Sequence, residues 1–167
     1  MKAFSIKNQK QFMNQLLKSD LFDHFLLSEA IIRGAASYQI DGRINRAFFE
    51  EDELPSLVEP GSEYLPFSYL RPMLFSMIRG THTPLYVKLV LLLSPANAAA
   101  TIRHANTSIS PEDINGIYLN LTFREGQLLL TSGVSYRNFT PDHSFDAAWD
   151  HLAARFLDLH DLDFDIR

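Results

Sequence analysis

From Gly116 to Arg124 the sequence alternates without a break: Ile117, Leu119, Leu121 and Phe123 fall on one side, and Tyr118, Asn120, Thr122 and Arg124 on the other. A period of two is the mark of a strand with one face buried. Glu125-Gly126 follows and residues 127–139 return, so the stretch reads as a β-hairpin. A half-buried antiparallel pair needs a second layer over its apolar side, and the rest of the chain contains the pieces for one.

Ala3 to Ile6 reads as a short strand, and Asn8 as the N-cap of a helix through Lys18 whose apolar face holds Phe12, Met13, Leu16 and Leu17. Residues 25–33 and 36–44 read as two strands joined at Gly34-Ala35, with Gly34 supplying the positive φ of a tight turn. Helical spacing runs from Phe67 to Arg79, with Pro72 either near the start of the helix or at a kink. Tyr86 to Leu93 is a continuous apolar run, which predicts a strand buried on both faces at the sheet centre. Ser94-Pro95 is an N-cap followed by proline at N1 and opens an alanine-rich helix to about His104. Thr140-Pro141 repeats that device ahead of a helix whose Phe145, Trp149, Leu152, Phe156 and Leu159 form the expected buried stripe. The tail, residues 161–166, alternates strictly and suits an edge strand or a disordered end.

Residues 3–44 and 85–139 therefore share one order: strand, helix, strand, tight turn, strand. The expectation is an α+β fold in a single domain over 1–167. Two βαββ-like units form an antiparallel-rich sheet with helices packed on one face, plus a C-terminal amphipathic helix. In topology this resembles the domains of sliding DNA clamps. A clamp presents basic helices to the duplex, whereas here the first helix offers only Lys10 and Lys18 and the second Arg103. Residues 46–66, with Glu50-Glu51-Asp52-Glu53, Pro55, Pro60-Gly61 and Pro66, read as an acidic mobile loop, a lid or an insertion, pinned at one end by Phe48 and Phe49.

Which chemistries remain open is a matter of composition. The chain has no cysteine, which excludes thiolate catalysis, disulfides and Cys-bearing metal sites. P-loop, dinucleotide-binding, nucleophile-elbow and His-Glu-x-x-His patterns are all missing. The net charge of −5 is concentrated in residues 46–66, with six acidic and one basic side chain, and residues 158–167, with four and one. The remaining body is close to neutral and lacks the footprint of a strong nucleic-acid binder. The N-terminus shows no export signal, and the longest aliphatic run, Leu89 to Leu93, is far short of the roughly 20 residues that cross a bilayer. A cytoplasmic location without membrane partners is expected.

Two groups of side chains stand out. Asp23-His24, Glu29 and Arg33, with Asp41 on the neighbouring strand, form the candidate ligand site. Strand alternation puts Glu29 and Arg33 on the side of Phe25, Leu27 and Ile31. A carboxylate held near arginine or histidine binds a polar ligand or a cation, or moves a proton; more ordinarily such residues are cross-strand ion pairs and loop caps. His143-x-x-Asp146-x-x-x-Asp150 has metal-ligand spacing on one helix face, but acidic residues near a helix start also complement its dipole. No metal, cofactor or catalytic residue is expected.

Asp23-His24-Phe25-Leu26-Leu27-Ser28-Glu29-Ala30, Thr83-Pro84-Leu85, Leu93-Ser94-Pro95 and Gly116-Ile117-Tyr118-Leu119-Asn120 carry a family resemblance. Over nearly its whole length the chain resembles an uncharacterised family of small bacterial proteins classed only as a domain of unknown function. That resemblance implies a bacterial, intracellular protein of unassigned activity and transfers no catalytic residue. The expected function is a non-catalytic binding or protein-interaction domain, whose partner is a second copy or another protein. The alternatives are a clamp-like oligomer on nucleic acid and a metal- or ligand-dependent enzyme using Asp23, His24 and Glu29.

Overall fold

The computed structural model describes residues 1–167. Seven strands form one antiparallel sheet: β1 (Ala3–Ile6), β2 (Phe25–Arg33), β3 (Ser37–Asp41), β4 (Tyr86–Leu93), β5 (Ile114–Arg124), β6 (Gln127–Tyr136) and β7 (Phe164–Ile166), in the order β3-β2-β4-β5-β6-β1-β7. The register lines up Ile40, Ala30, Leu89, Leu121, Leu130, Phe4 and Ile166 as one row across all seven strands. That row lies on the face covered by α1 (Gln9–Lys18), α3 (Phe67–Ile78) and α5 (Ser144–Leu159), whose Phe12, Leu16, Leu70, Leu74, Phe145 and Trp149 join the same buried core. The α+β class agrees with the sequence; three helices share one face as expected, whereas α4 (Pro95–Ala105) also borders the other. None of the helices is long and apolar enough to cross a membrane.

The two strand–helix–strand–strand stretches are not wound alike. In the second, β4 pairs directly with β5; in the first, β1 pairs with β6 and β7 and is separated from β2 by β4, β5 and β6. Local pattern decides that a segment is a strand, while the edge it joins is a long-range choice. The likeness to a sliding clamp, which needs like-wound halves, gains nothing from this pairing.

Other expectations shift for local reasons. A β-bulge between Leu27 and Glu29 adds a residue to β2 and reverses its phase, so Ala30 and Ile32 face the core while Glu29, Ile31 and Arg33 share the open face with Leu26. Strand β4 is buried on one face: Val87, Leu89 and Leu91 point inward, and Tyr86, Lys88 and Val90 are half-buried opposite them. Gly34 does not have a positive φ; Glu125 and Gly126, at +52° and +73°, do, as the β5–β6 turn requires. Helix α3 runs through Pro72, whose missing N–H leaves the Ser68 carbonyl without its intrahelical bond. Residues 46–66 contain a 3-10 turn at Arg46–Phe48 and the short α2 (Leu54–Leu57), so this stretch has more regular structure than its prolines suggest. The tail forms edge strand β7.

Helix α5 starts at Ser144, three residues past Pro141, with His143 and not Thr140 at its N-cap position; the Asp142 carboxylate, one residue earlier, accepts the Ser144 amide at 2.8 Å and also the Ser108 hydroxyl. Its buried stripe is Phe145, Trp149, Ala153 and Leu157, while Leu159 is exposed. The Ser108 hydroxyl first, then the Ser144 amide and hydroxyl, hold the Asp142 carboxyl down at about 2, against an ordinary value of 3.8. A depressed carboxyl stabilises the fold above its ordinary value, and that contribution disappears as pH falls through the lowered one. Acidification from pH 4 to 2 is therefore expected to unfasten the first turn of α5, seen as a loss of protection of the Ser144 amide relative to its intrinsic exchange rate at each pH. Asp142→Asn is expected to remove this pH dependence; an unchanged acid transition in that variant would assign it to another group.

Candidate functional site

The open face of the sheet is covered at one end only, by a strap, residues 59–66, that leaves β3 through residues 42–58 and returns to α3. Three backbone bonds fasten it, Ile44 N–H to the Glu63 carbonyl at 2.9 Å, Leu65 to Gly42 at 2.9 Å and Leu27 to Leu65 at 3.0 Å, and the Gly42 N–H to the Ser28 carbonyl at 3.0 Å seats Gly42 on β2. The other anchor is α4 (Pro95–Ala105). Ser94 caps this helix, accepting the Asn97 amide at 3.5 Å, and the Glu59 carboxylate accepts the Ala96 amide at 3.0 Å. An acidic side chain from the strap thus sits where the helix dipole favours negative charge.

Between strap, α4 and the beginning of β5 lies a cleft of about 350 Å³. One wall is apolar: Pro95, Ala98, Ala99 and Ile102 of α4, with Leu92 at the base. The other is polar: Glu63 and Tyr64 from the strap, Asn115 and Tyr118 from β5, and Arg137 just past β6. The Tyr118 ring lies along its own strand over Gly116, so closely that a methyl group there would stand 2.5 Å from the phenol oxygen. Burial pushes the Tyr118 phenol up from its usual value, helped by Tyr64 and Glu63, which keeps its proton on as a hydrogen-bond donor for a ligand. Tyr64 accepts from Arg43 Nη2 at 3.3 Å, with the Arg43 guanidinium 5.6 Å from its ring centre. Arg137 is aimed by its Nε, which donates to the Ile114 carbonyl at 3.3 Å, leaving both Nη groups uncommitted. The Ser62 hydroxyl, 2% exposed, lines the same cleft without a hydrogen-bond partner. A buried polar group left unpaired costs about 1–3 kcal/mol, so the cleft retains hydrogen-bonding capacity that the fold does not use.

The residues singled out from sequence fall into separate groups. Asp23 is paired with Arg71 of α3, on the helix-covered side, and with His24 lines a separate recess of about 240 Å³ beside Glu59, Ser94 and Asn97. Glu29 is on the open face, paired with Lys88 at 2.8 Å and reached by Gln39 at 3.5 Å. Asp41 is opposite Glu29 in register and accepts the Arg43 amide at 2.9 Å. Arg33, at the far end of β2, lies 5.1 Å from the Tyr86 ring centre. An enzyme centre built from Asp23, His24 and Glu29 together is not what the fold assembles.

His143, Asp146 and Asp150 do not form one group either: the first two are neighbours and Asp150 is engaged elsewhere. Asp146 accepts the Tyr136 hydroxyl at 2.7 Å and lies 3.4 Å from His143 Nδ1, while Asp150 accepts the Ser132 hydroxyl. Burial, followed by the Asp146 carboxylate, raises the Tyr136 phenol. No three acidic or histidine side chains are grouped so as to hold a metal ion.

Tyr64, Tyr118 and Arg137 were not among the residues marked in the sequence. The available signal was glycine: Gly116 in an otherwise clean strand, like Gly42 after β3, indicates a place where something approaches the backbone closely.

A family model described as Family of unknown function (DUF5721) matches residues 15–165, a span that includes the whole cleft. No curated protein and no solved structure matches the chain.

Proposed function

We propose that this chain, which belongs to the DUF5721 family of unknown function, is a non-catalytic binding module whose ligand seat is the cleft between the strap, α4 and β5. The observation that carries this reading is the convergence of Tyr64, Tyr118 and Arg137, each oriented by a neighbour, opposite a smooth wall of alanines. A concave site with an apolar wall and a few aimed polar groups is the usual form of a small-molecule site. The ligand has one flat apolar face for Ala98 and Ala99 and hydrogen-bond acceptors for the phenol and guanidinium. The cleft's ionisable groups are one carboxylate, two phenols and one guanidinium, with no histidine or thiol among them. Tyr118 is moved further from neutral pH, which suits donation of a hydrogen bond and not proton relay.

A fragment screen followed by amide chemical shifts tests this. Hits are expected to perturb Ala98, Ala99, Gly116 and Tyr118 together. Tyr118→Phe, which deletes one donor, and Gly116→Ala, which displaces the ring, are each expected to weaken them about fivefold to tenfold while the fold persists. Hits that map elsewhere, or that ignore both substitutions, would remove the cleft as the site.

A further inference from the structure

A second opening lies on the opposite, helix-covered side, where α1 and α3 stop short of the end of the sheet. Its floor is the last row of the core face, where Val87 and Leu128 are buried and Phe123, paired with both across β4, β5 and β6, is half-buried. Met13 and Leu17 of α1 and Ile78 of α3 form the walls, and the space between them is about 420 Å³, within the range of small-molecule sites. The apolar surface here is continuous with the core. Gln9 closes one end by donating to the Gly126 carbonyl at 2.7 Å, which fixes the start of α1 against the β5–β6 turn.

The rim is basic. Lys10, Arg79 and His82 line the groove and no aspartate or glutamate does, in a chain whose net charge is −5. The lysines and arginines that form ion pairs in this fold are Lys7, Arg71, Lys88 and Arg124; neither Lys10 nor Arg79 is among them. Arg79 has only the face of Phe75, 5.8 Å from its guanidinium, a contact it shares with Lys18 at 5.6 Å. An apolar slot edged by unpaired cations complements a molecule with an apolar body and a single anionic head. A peptide fits less well. Its main-chain amides would need partners, and the polar side chains of the groove other than the basic ones are Gln9, already engaged with Gly126, and Thr83. An alkyl chain has no such requirement.

We propose that this groove binds a single-chain alkyl carboxylate, with the chain against Met13, Ile78 and Phe123 and the head between Lys10 and Arg79. The site is separate from the cleft under the strap and does not depend on what that cleft binds.

Competition binding with dodecanoate, dodecanol and dodecyltrimethylammonium as probes, the ionic two below their critical micelle concentrations and dodecanol below its solubility limit, tests it. Dodecanoate is expected to bind one to one, at least tenfold more tightly than the other two, and to weaken as salt rises. Octanoate should bind about a hundredfold or more less tightly, because each methylene removed costs about fourfold. The double charge reversal Lys10→Glu/Arg79→Glu, on two exposed side chains, should weaken dodecanoate at least tenfold and favour the ammonium probe, whereas Tyr118→Phe should leave dodecanoate binding unchanged. Equal binding of all three head groups would reduce the site to an apolar patch. Insensitivity to the charge reversal would place the ligand elsewhere, loss of binding in Tyr118→Phe would assign it to the other cleft, and absence of binding would end the proposal.

Discussion

Gly42→Ala is expected to destabilise the protein by about 3 kcal/mol or more and to lower its melting temperature by roughly 10 °C. The added methyl would lie 1.7 Å from the Leu27 carbonyl oxygen and 2.7 Å from the Leu27 carbonyl carbon. Both are backbone atoms at the β2 bulge, so no rotamer change relieves the overlap; one segment must move, in an interior packed to crystalline density. Movement there breaks a connected set of bonds, since Gly42 donates to Ser28, accepts from Leu65, and the Leu65 carbonyl in turn accepts from Leu27. Each is worth about 1 kcal/mol net. The strap is fastened through the same bonds, so Tyr64 and Glu63 should leave the cleft as stability falls. Gly34→Ala is the matched control in the same hairpin. Its methyl would meet nothing within 4 Å and its φ is not positive, so stability should change by no more than about 0.5 kcal/mol. Urea titration of both variants decides the point; a loss below about 1 kcal/mol for Gly42→Ala would show that the strap does not seat on the bulge.

The contrast between these two glycines shows what the sequence makes legible. Features fixed within a few residues are readable: the β5–β6 hairpin with its left-handed Glu125-Gly126, the Ser94-Pro95 start of α4, and the alternating tail that becomes β7. Features fixed by a distant segment are not. Whether Glu29 faces the core or the open side depends on one extra residue at the bulge, and that bulge is set where the strap and Gly42 press on β2. The same cause scattered the expected site, because Asp23 precedes the bulge and goes to Arg71 while Glu29 follows it and goes to Lys88. The cleft draws on segments as far apart as Leu26 and Arg137, and only the sheet order brings them together. The strap's acidity, conspicuous in the composition, gave no hint that Glu59 would be held at the start of α4.

Phe22→Ala is expected to cost about 3–5 kcal/mol, although Phe22 belongs to no strand or helix. It lies in the turn between α1 and β2 and is fully buried. Its ring centre is 5.6 Å from Phe12 of α1, 6.0 Å from Phe25 of β2 and 5.5 Å from Phe156 of α5, the last edge to face. Aromatic pairs of this kind contribute about 0.5–1.5 kcal/mol beyond the area they bury. Three elements from opposite ends of the chain therefore share one side chain, and truncation leaves a cavity that none of them can close by moving alone. Because β1 is four places from β2 in the sheet, α1 has to pass across the core face, and Phe22 lies at the turn that ends this crossing. Phe22→Leu should recover more than half of the loss by refilling most of the volume, whereas Phe139→Ala, at a ring 96% exposed, should change stability by less than about 0.5 kcal/mol. If Phe22→Ala proved as mild as Phe139→Ala in chemical denaturation, α1 and α5 would not be packed against a common centre, and the helical layer that closes the sheet would have to be redrawn.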